Sequence, residues 1–209
     1  FMAEYRLNAL MFGYPKPITA IVDGIVMGGG VGISEPADVR IATERTTYAM
    51  PETGIGLYPE VGGGWFLPRL PGQTGVWIGL TGARLKAADT VALGIHTHFV
   101  PSESVEALKA DLLAEGADPA AVAARHAKDA GPAPLAAHCE AIDRLFAFDT
   151  VEDIFAALEA DGSDWASAQL AILKTKSPTS LKVTLRHIRE GAKAASFDDN
   201  MAVEYAVSG

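Results

Sequence analysis

Two glutamates, Glu52 and Glu60, stand in the apolar, glycine-rich stretch MPETGIGLYPEVGGGWFLPRL, which runs from residue 50 to residue 70. Each directly follows a proline. The intervening TGIGLYP is too rich in glycine for a helix, but a loop that folds back can bring both carboxylates to one pocket. Two neighbouring carboxylates repel, which raises the pKa of one and suits an acid paired with a base. Two solvated turn residues are the alternative that these residues leave open.

A run of three glycines stands further upstream, in GIVMGGGVGI (residues 24–33). Its spacing does not fit the dinucleotide pattern G-x-G-x-x-G, and the Gly-Lys-Ser/Thr of a phosphate loop is missing. Glycines at a helix start leave a bare backbone N–H that can meet a carbonyl oxygen becoming negative in a transition state. A tight turn that needs positive φ explains the same residues equally well.

The remaining reactive side chains indicate little chemistry. His96 and His98 are expected to alternate on one strand, a spacing that can chelate a metal, but no third ligand lies close by in the sequence. We therefore predict no metal site. Cys139 is the only cysteine, so an internal disulfide is impossible, and it is expected to be a small, semi-buried apolar residue. Neither a Ser-His-Asp arrangement nor a G-x-S-x-G elbow is visible.

The composition narrows the classes of partner. The 209 residues are 49% hydrophobic and 21% charged, which is ordinary for a globular protein, and the net charge is −9. This acidic balance argues against nucleic acid and against an anionic membrane surface, and the sequence has no apolar run that could span a bilayer. A small anionic ligand stays possible, because local basic groups and backbone N–H dipoles can hold one.

The hydrophobic pattern predicts an α/β part over residues 1–100. A buried strand is expected over 18–26, then a glycine-rich turn, a short helix or turn over 31–36 and a second strand over 38–44. A helix over 73–80 and a loop, helix and strand up to residue 101 follow.

Residues 101–209 are predicted to form an all-helical region. Asp118 before Pro119 and Thr150 before Asp153 are typical of helix N-termini. The opening residues predict an amphipathic helix with Leu7, Leu10 and Met11 on its apolar face. Because both ends fall inside helical patterns, we expect both ends to be cut.

Three stretches together resemble the crotonase (enoyl-CoA hydratase/isomerase) superfamily, almost continuously from residue 16 to about residue 101: KPITAIVDGIVMGGGVGI, ADVRIATERTTYAMPETGIGLYPEVGGGWFLPRLPG and LTGARLKAADTVALGIHTHFV. Within it, MGGGVG, residues 50–70, KSPTSLKVTLRHIREG and EYRLN are most similar to the 3-hydroxyisobutyryl-CoA hydrolases. The resemblance implies a partial crotonase-like spiral of ββα turns followed by a helical C-terminal region.

The resemblance also assigns roles to residues. It implies that the N–H of Gly29 is an oxyanion-hole donor, that Glu52 is the catalytic carboxylate and that Glu60 is the second acid, which the hydrolases usually have as Asp. Substrate contacts are implied for a further set: Glu4, Gly28, Gly29, Gly30 and Gly56. Arg69 and Lys86 are candidates to neutralise the phosphates of coenzyme A. Family chains carry a second oxyanion donor and much of the coenzyme A site ahead of the point where this sequence begins, so residues 1–209 alone are expected to be inactive.

One difference from the hydratase pattern distinguishes between the possible activities. Hydratases carry a second catalytic Glu where this chain has Gly32. We therefore expect hydrolysis of 3-hydroxyisobutyryl-CoA in valine catabolism, with enoyl-CoA hydration or isomerisation as one alternative and a non-catalytic assembly subunit as another. The resemblance implies no cofactor beyond the coenzyme A of the substrate, a possible homo-oligomer, and a bacterial cytoplasmic or mitochondrial matrix location.

Overall fold

The computed structural model describes residues 2–208. Its strands are β1 (Thr19–Val22), β2 (Ile25–Met27), β3 (Val39–Ala42), β4 (Thr47–Ala49), β5 (Leu85–Lys86) and β6 (His98–Phe99). Helices of the first part are α1 (Met2–Phe12), α2 (Gly29–Ser34), α3 (Gly63–Phe66), α4 (Thr74–Thr81) and α5 (Ala87–Ala92). Those of the second part are α6 (Val105–Leu112), α7 (Pro119–His126), α8 (Cys139–Leu145), α9 (Val151–Asp161), α10 (Asp164–Leu173), α11 (Pro178–Gly191) and α12 (Phe197–Ser208).

The strands form two three-stranded sheets, and successive ββα units add one strand to each sheet. β1 pairs in parallel with β3, and β3 with β6; β2 pairs in parallel with β4, while β5 lies antiparallel to β4. The order β1-β2-α2 followed by β3-β4-α3 therefore stacks one ββα turn on the next, with Ile21 beside Ile41 and Val26 beside Tyr48. This arrangement and the helical second part confirm the predicted fold class.

The single strand predicted over residues 18–26 is wrong. The chain turns at Asp23 and Gly24, so that β1 and β2 belong to different sheets and Ile25 is 77% exposed. The Asp23 carboxylate accepts hydrogen bonds from the hydroxyls of Thr43 and Ser102, which fixes the turn. Asp23-Gly24 interrupts the apolar run and is itself a turn signal, so the break had a local cue in the sequence that the prediction did not use.

The apolar face predicted for α1 is also wrong. Leu7 and Leu10 are 45% and 61% exposed, whereas Tyr5 and Asn8 are buried. The Asn8 side-chain amide donates to the carbonyl oxygen of Gly32, and the Tyr5 ring packs edge-on against Tyr205 of α12. The Asn8 hydrogen bond to α2 and ring contacts of Tyr5 and Phe12 with α12, rather than apolar periodicity, thus set the rotation of α1.

One hydrophobic cluster joins the two parts of the chain. It contains Val26 and Leu80 from the α/β part together with Ile154 and Leu185 from the helices. A smaller cluster lies between β3 and the helices α6 and α7. The two parts therefore pack together, although the sequence pattern changes from α/β to all-helical near residue 100. The division into domains 1–100 and 101–209 stays a prediction.

Local helix signals behave as predicted. The Asp118 side chain accepts from the N–H of Ala120, and the Thr150 hydroxyl accepts from the N–H of Asp153. Cys139 is half-buried, as predicted. Across residues 2–208, the longest apolar helices fall short of what is needed to cross a membrane.

Candidate functional site

Glu52 lies where the chain leaves β4. It opens a short 3-10 helix (Glu52–Gly54), is 4% exposed, and its Oε2 has no hydrogen-bond partner among residues 2–208. Burial raises the pKa of Glu52 to about 7, a backbone hydrogen bond lowers it and the charge of Glu60 raises it further. A carboxyl group that titrates near neutrality is suited to act as a base or a nucleophile.

Glu60 is the second buried carboxylate. It is 8% exposed, and its Oε2 likewise lacks a hydrogen-bond partner within the described residues. Burial raises the pKa of Glu60, a hydrogen bond from Tyr5 lowers it, and the charges of Glu4 and Glu204 raise it. Since Glu60 also acts on the pKa of Glu52, the two acids share one electrostatic environment. They are therefore not solvated turn residues.

The first glycine run lies against Glu52 and Glu4. Gly28 has φ of +51° and precedes α2, which starts at Gly29, so the Gly29 N–H has no acceptor within the helix. A Cβ on Gly28 would lie 3.3 Å from Glu52 Oε1, and one on Gly29 would lie 2.8 Å from Glu4 Oε1. Any side chain here would close the space between the helix start and the two carboxylates.

The two other glycines of the predicted set lie at the margins. Gly30 packs towards Val26, whose Cγ2 would be 3.4 Å from an added Cβ. Gly56 has φ of +84°, is exposed, and lines a cavity of about 220 Å³ together with Glu60. The wall of this cavity is completed by α11 and α12 through Ser180, Val183 and Val207.

Arg69 and Lys86, the two residues predicted to neutralise coenzyme A phosphates, contact other groups of the protein. The guanidinium carbon of Arg69 lies 3.3 Å from the centre of the Trp65 ring, and its Nη1 donates to the carbonyl oxygens of Trp65 and Gly191. The Lys86 ammonium donates to the Thr47 hydroxyl. These contacts explain both residues as packing and surface groups, and their role towards phosphate stays a prediction.

The two histidines do not share a strand, because β6 contains only His98. His96 is buried, and burial together with the charge of Arg40 lowers its pKa to about 4. The His98 ring bonds the Thr97 hydroxyl at 2.9 Å. No group of three or more His, Cys, Asp and Glu side chains within residues 2–208 is arranged to hold a metal ion.

Sequence reasoning missed two groups at the site. Tyr5 hydrogen-bonds Glu60 from α1, and Glu204 reaches the same segment from α12. The only sequence signal is that each of the two helices carries a Glu-Tyr pair, Glu4-Tyr5 and Glu204-Tyr205. A pattern of two residues is too short to assign a function.

Comparison with known proteins decides the family. Residues 1–209 match a family model described as enoyl-CoA hydratase/isomerase. The chain belongs to this family. The match confirms the resemblance to the crotonase superfamily.

Curated relatives in the family include 3-hydroxyisobutyryl-CoA hydrolases described as mitochondrial. The one from Xenopus tropicalis is 45% identical and the one from Homo sapiens 42% identical, each over the whole of this chain and 56% of the relative. The chain thus spans about half the length of the curated relatives it matches.

Solved structures of the family include proteins with other names. A carnitinyl-CoA dehydratase from Mycobacterium thermoresistibile superposes with a TM-score of 0.93 at 43% identity, covering 98% of this chain and 60% of the other. An enoyl-CoA hydratase from Rhodobacter sphaeroides gives a TM-score of 0.87 at 38% identity, covering 97% of this chain and 58% of the other. The fold is therefore that of this family.

The raised pKa of Glu52 makes stability depend on pH. Because the carboxyl titrates at about 7 when folded and at about 4.5 when exposed, the folded state binds more protons between these values. The contribution of the Glu52 carboxyl to the free energy of unfolding is therefore fully present below pH 4.5 and is lost as the pH rises through 7. The loss is about 3 kcal/mol, and E52Q should remove it. Urea unfolding of both proteins at pH 5 and pH 8 measures the difference, and equal pH dependence would contradict this role of burial.

Proposed function

We propose that the protein hydrolyses a short branched β-hydroxyacyl-CoA thioester, 3-hydroxyisobutyryl-CoA, to the free acid and coenzyme A. The observation that carries the proposal is a pair of buried carboxylates: Glu52 lies beside the glycine run that starts α2, and the charge of Glu60 raises the pKa of Glu52. The names of the relatives from Xenopus tropicalis and Homo sapiens support the same reaction. Gly32, which removes the acid pair of a hydratase, supports it as well.

The proposed reaction begins at the thioester carbonyl. The N–H of Gly29 and the dipole of α2 stabilise the negative charge that develops on the carbonyl oxygen. Glu52 either attacks the carbonyl carbon, giving an anhydride that water then hydrolyses, or takes a proton from a water that attacks directly. In both routes the C–S bond breaks, sulfur leaves with the electron pair and is protonated, and one water is consumed. A pKa near 7 leaves Glu52 ionised at slightly alkaline pH.

Glu60 is proposed to bind the β-hydroxyl of the acyl group and to help move the proton. Its Oε2 is buried and has no partner among residues 2–208, so a substrate hydroxyl can satisfy it. A hydrogen bond from Tyr5 also reaches the carboxyl group of Glu60. Glu4 lies against Gly29 and contributes a further charge to the same space.

The hydroxyl contact predicts a specificity change. E60Q should lower kcat/KM for 3-hydroxyisobutyryl-CoA by on the order of 100-fold, and for isobutyryl-CoA, which lacks the hydroxyl, by much less. The reason is that the carboxylate accepts a charge-assisted hydrogen bond from the hydroxyl, which a neutral amide makes more weakly, whereas isobutyryl-CoA has no hydroxyl whose bond could be lost. Release of free thiol by the full-length protein measures both rates.

E60D serves as the matched control, since it keeps the carboxylate and shortens the side chain by one methylene. We expect it to retain most of the discrimination between the two thioesters. An equal loss of kcat/KM for both substrates in E60Q would show that Glu60 does not bind the hydroxyl.

A hydratase or dehydratase of the same fold is the second candidate. The names of the solved relatives from Mycobacterium thermoresistibile and Rhodobacter sphaeroides favour it. It predicts loss of enoyl absorbance from crotonyl-CoA without release of thiol. The proposal for 3-hydroxyisobutyryl-CoA includes a role in valine degradation. It also includes assembly as a homo-oligomer and a location in the mitochondrial matrix or the bacterial cytoplasm.

A further inference from the structure

A further buried carboxylate, Glu204, also acts on Glu60 through its charge. It is 0% exposed and belongs to α12. Its Oε2 accepts from the N–H of Gly62 at 2.8 Å, and its Oε1 from the N–H of Gly64 at 3.1 Å. These are amides at the start of α3 that no carbonyl of that helix can accept. A wholly buried carboxylate is costly unless it is hydrogen-bonded, and here backbone donors satisfy it.

Two side chains complete the set of donors to Glu204. The Asn200 amide nitrogen lies 2.9 Å and the His187 Nε2 lies 3.0 Å from Oε1. Because a carboxylate only accepts, this places the proton of the ring on Nε2. A Cβ on Gly64 would lie 2.2 Å from that nitrogen, so only glycine allows α3, α11 and α12 to meet here.

The backbone between Glu60 and these bonds is strained. Val61 has φ of +56°, a conformation that β-branched residues rarely adopt. It is held from both sides: a Cβ on Gly32 would lie 2.5 Å from the Val61 Cβ, and Glu204 binds the next amide, that of Gly62. The direction of the Glu60 side chain depends on this conformation.

The two glycine runs of the chain show the same local design. MGGGVG begins α2 and has Glu4 beside it, while VGGGWF begins α3 and has Glu204 beside it. At the first run the acid is half-buried, and space is left at the helix start. At the second run the Glu204 carboxylate binds the free N–H groups at the start of α3. These N–H groups are therefore not free to bind a ligand, and the bonds fix the position of α3.

We propose that Glu204 is a positioning residue for Glu60, because its carboxylate holds the start of α3 and thereby directs Glu60 towards the site shared with Glu52. The inference rests on the proposed function and deepens it. Glu204 does not touch the substrate; it acts through the backbone of residues 61–64. Its negative charge also raises the pKa of Glu60. The other titratable groups that act on Glu60 or on this carboxylate are Glu4, Tyr5, Glu52, Tyr58 and His187.

The test compares E204Q with D199N in the full-length protein. Both changes remove one negative charge from α12, but Asp199 is exposed. We expect E204Q to lower kcat for 3-hydroxyisobutyryl-CoA by on the order of 100-fold, since small displacements of a catalytic group are costly. KM should rise as well, because a displaced Glu60 binds the substrate β-hydroxyl less well. D199N should behave as wild type.

Two readouts do not depend on turnover. In E204Q, hydrogen exchange at the amides of Gly62 and Gly64 should be faster, and carboxyl NMR should show a lower pKa for Glu60, because a negative charge is gone. E204D keeps the charge but shortens the reach, so it should lower kcat while leaving the pKa of Glu60 raised. E204D also replaces E204Q if that variant does not fold.

The outcomes separate the two proposals. If the wild type releases no thiol, the proposed function fails, and the exchange rates and the pKa of Glu60 decide the positioning role alone. Unchanged exchange and an unchanged pKa of Glu60 in E204Q would overturn that role. A loss of thermal stability in E204Q with normal kcat and a normal pH profile would overturn it equally.

Discussion

E52Q is expected to reduce thiol release by on the order of 10²- to 10⁴-fold, the range attributed to a positioned base or nucleophile. Glutamine has nearly the same shape as glutamate but neither attacks a carbonyl nor accepts a proton at neutral pH. The protein should remain folded, because Glu52 is buried and its Oε2 bonds none of the described residues. Steady-state assays on the full-length protein, with unfolding curves beside them, measure both effects.

Glu35 provides the matched control for this change. It is also a glutamate whose pKa is raised to about 7 by burial, but its charged neighbour is Arg40, 3.9 Å away, rather than Glu60. E35Q should therefore keep the wild-type rate. If E52Q and E35Q lost activity equally, burial of charge rather than chemistry at Glu52 would explain the loss.

G191A is expected to lower the stability of the fold strongly. A Cβ on Gly191 would lie 1.9 Å from the carbonyl oxygen of Gly64 and 2.7 Å from its carbonyl carbon. Both are backbone atoms of α3, so no rotamer change can relieve the contact. The free energy of unfolding should fall by about 3 kcal/mol, the upper part of the range for overpacking.

G24A is the control for that substitution, since an added Cβ meets nothing within 4 Å and Gly24 has no positive φ. Its unfolding free energy in urea should stay within about 0.5 kcal/mol of wild type. Because α3 directly follows the Glu60 segment, G191A should also lower kcat. Wild-type stability of G191A would show that α3 and α11 can separate without cost.

The sequence and the family resemblance singled out two acids that the structure buries, but they did not reveal the residues that support these acids. Glu52, Glu60 and Gly29 were predicted from their unusual setting and from the family resemblance; the structure buries both acids, and their roles stay a prediction. Burial of both acids could not be derived from the residues themselves, because prolines and glycines around them are equally typical of an exposed loop. The family resemblance, not the spacing, removed that ambiguity.

Long-range contacts account for what was missed. Gly62 and Glu204 are 142 residues apart, and no local pattern connects them. The exposed Leu7 and Leu10 show the converse, since their apolar periodicity is real but contacts of α1 with residues far along the chain set its rotation. Caps such as Asp118 were predictable because both partners lie within one turn.

The most direct test of the account is a simultaneous assay of the full-length wild-type protein on 3-hydroxyisobutyryl-CoA and on crotonyl-CoA, following free thiol and enoyl absorbance. The account predicts prompt thiol release from the hydroxyacyl thioester, rising as the pH increases through about 7 as Glu52 ionises, with crotonyl-CoA unchanged. Loss of enoyl absorbance without thiol would contradict it and establish a hydratase. Inactivity towards both would contradict it in favour of a non-catalytic assembly subunit.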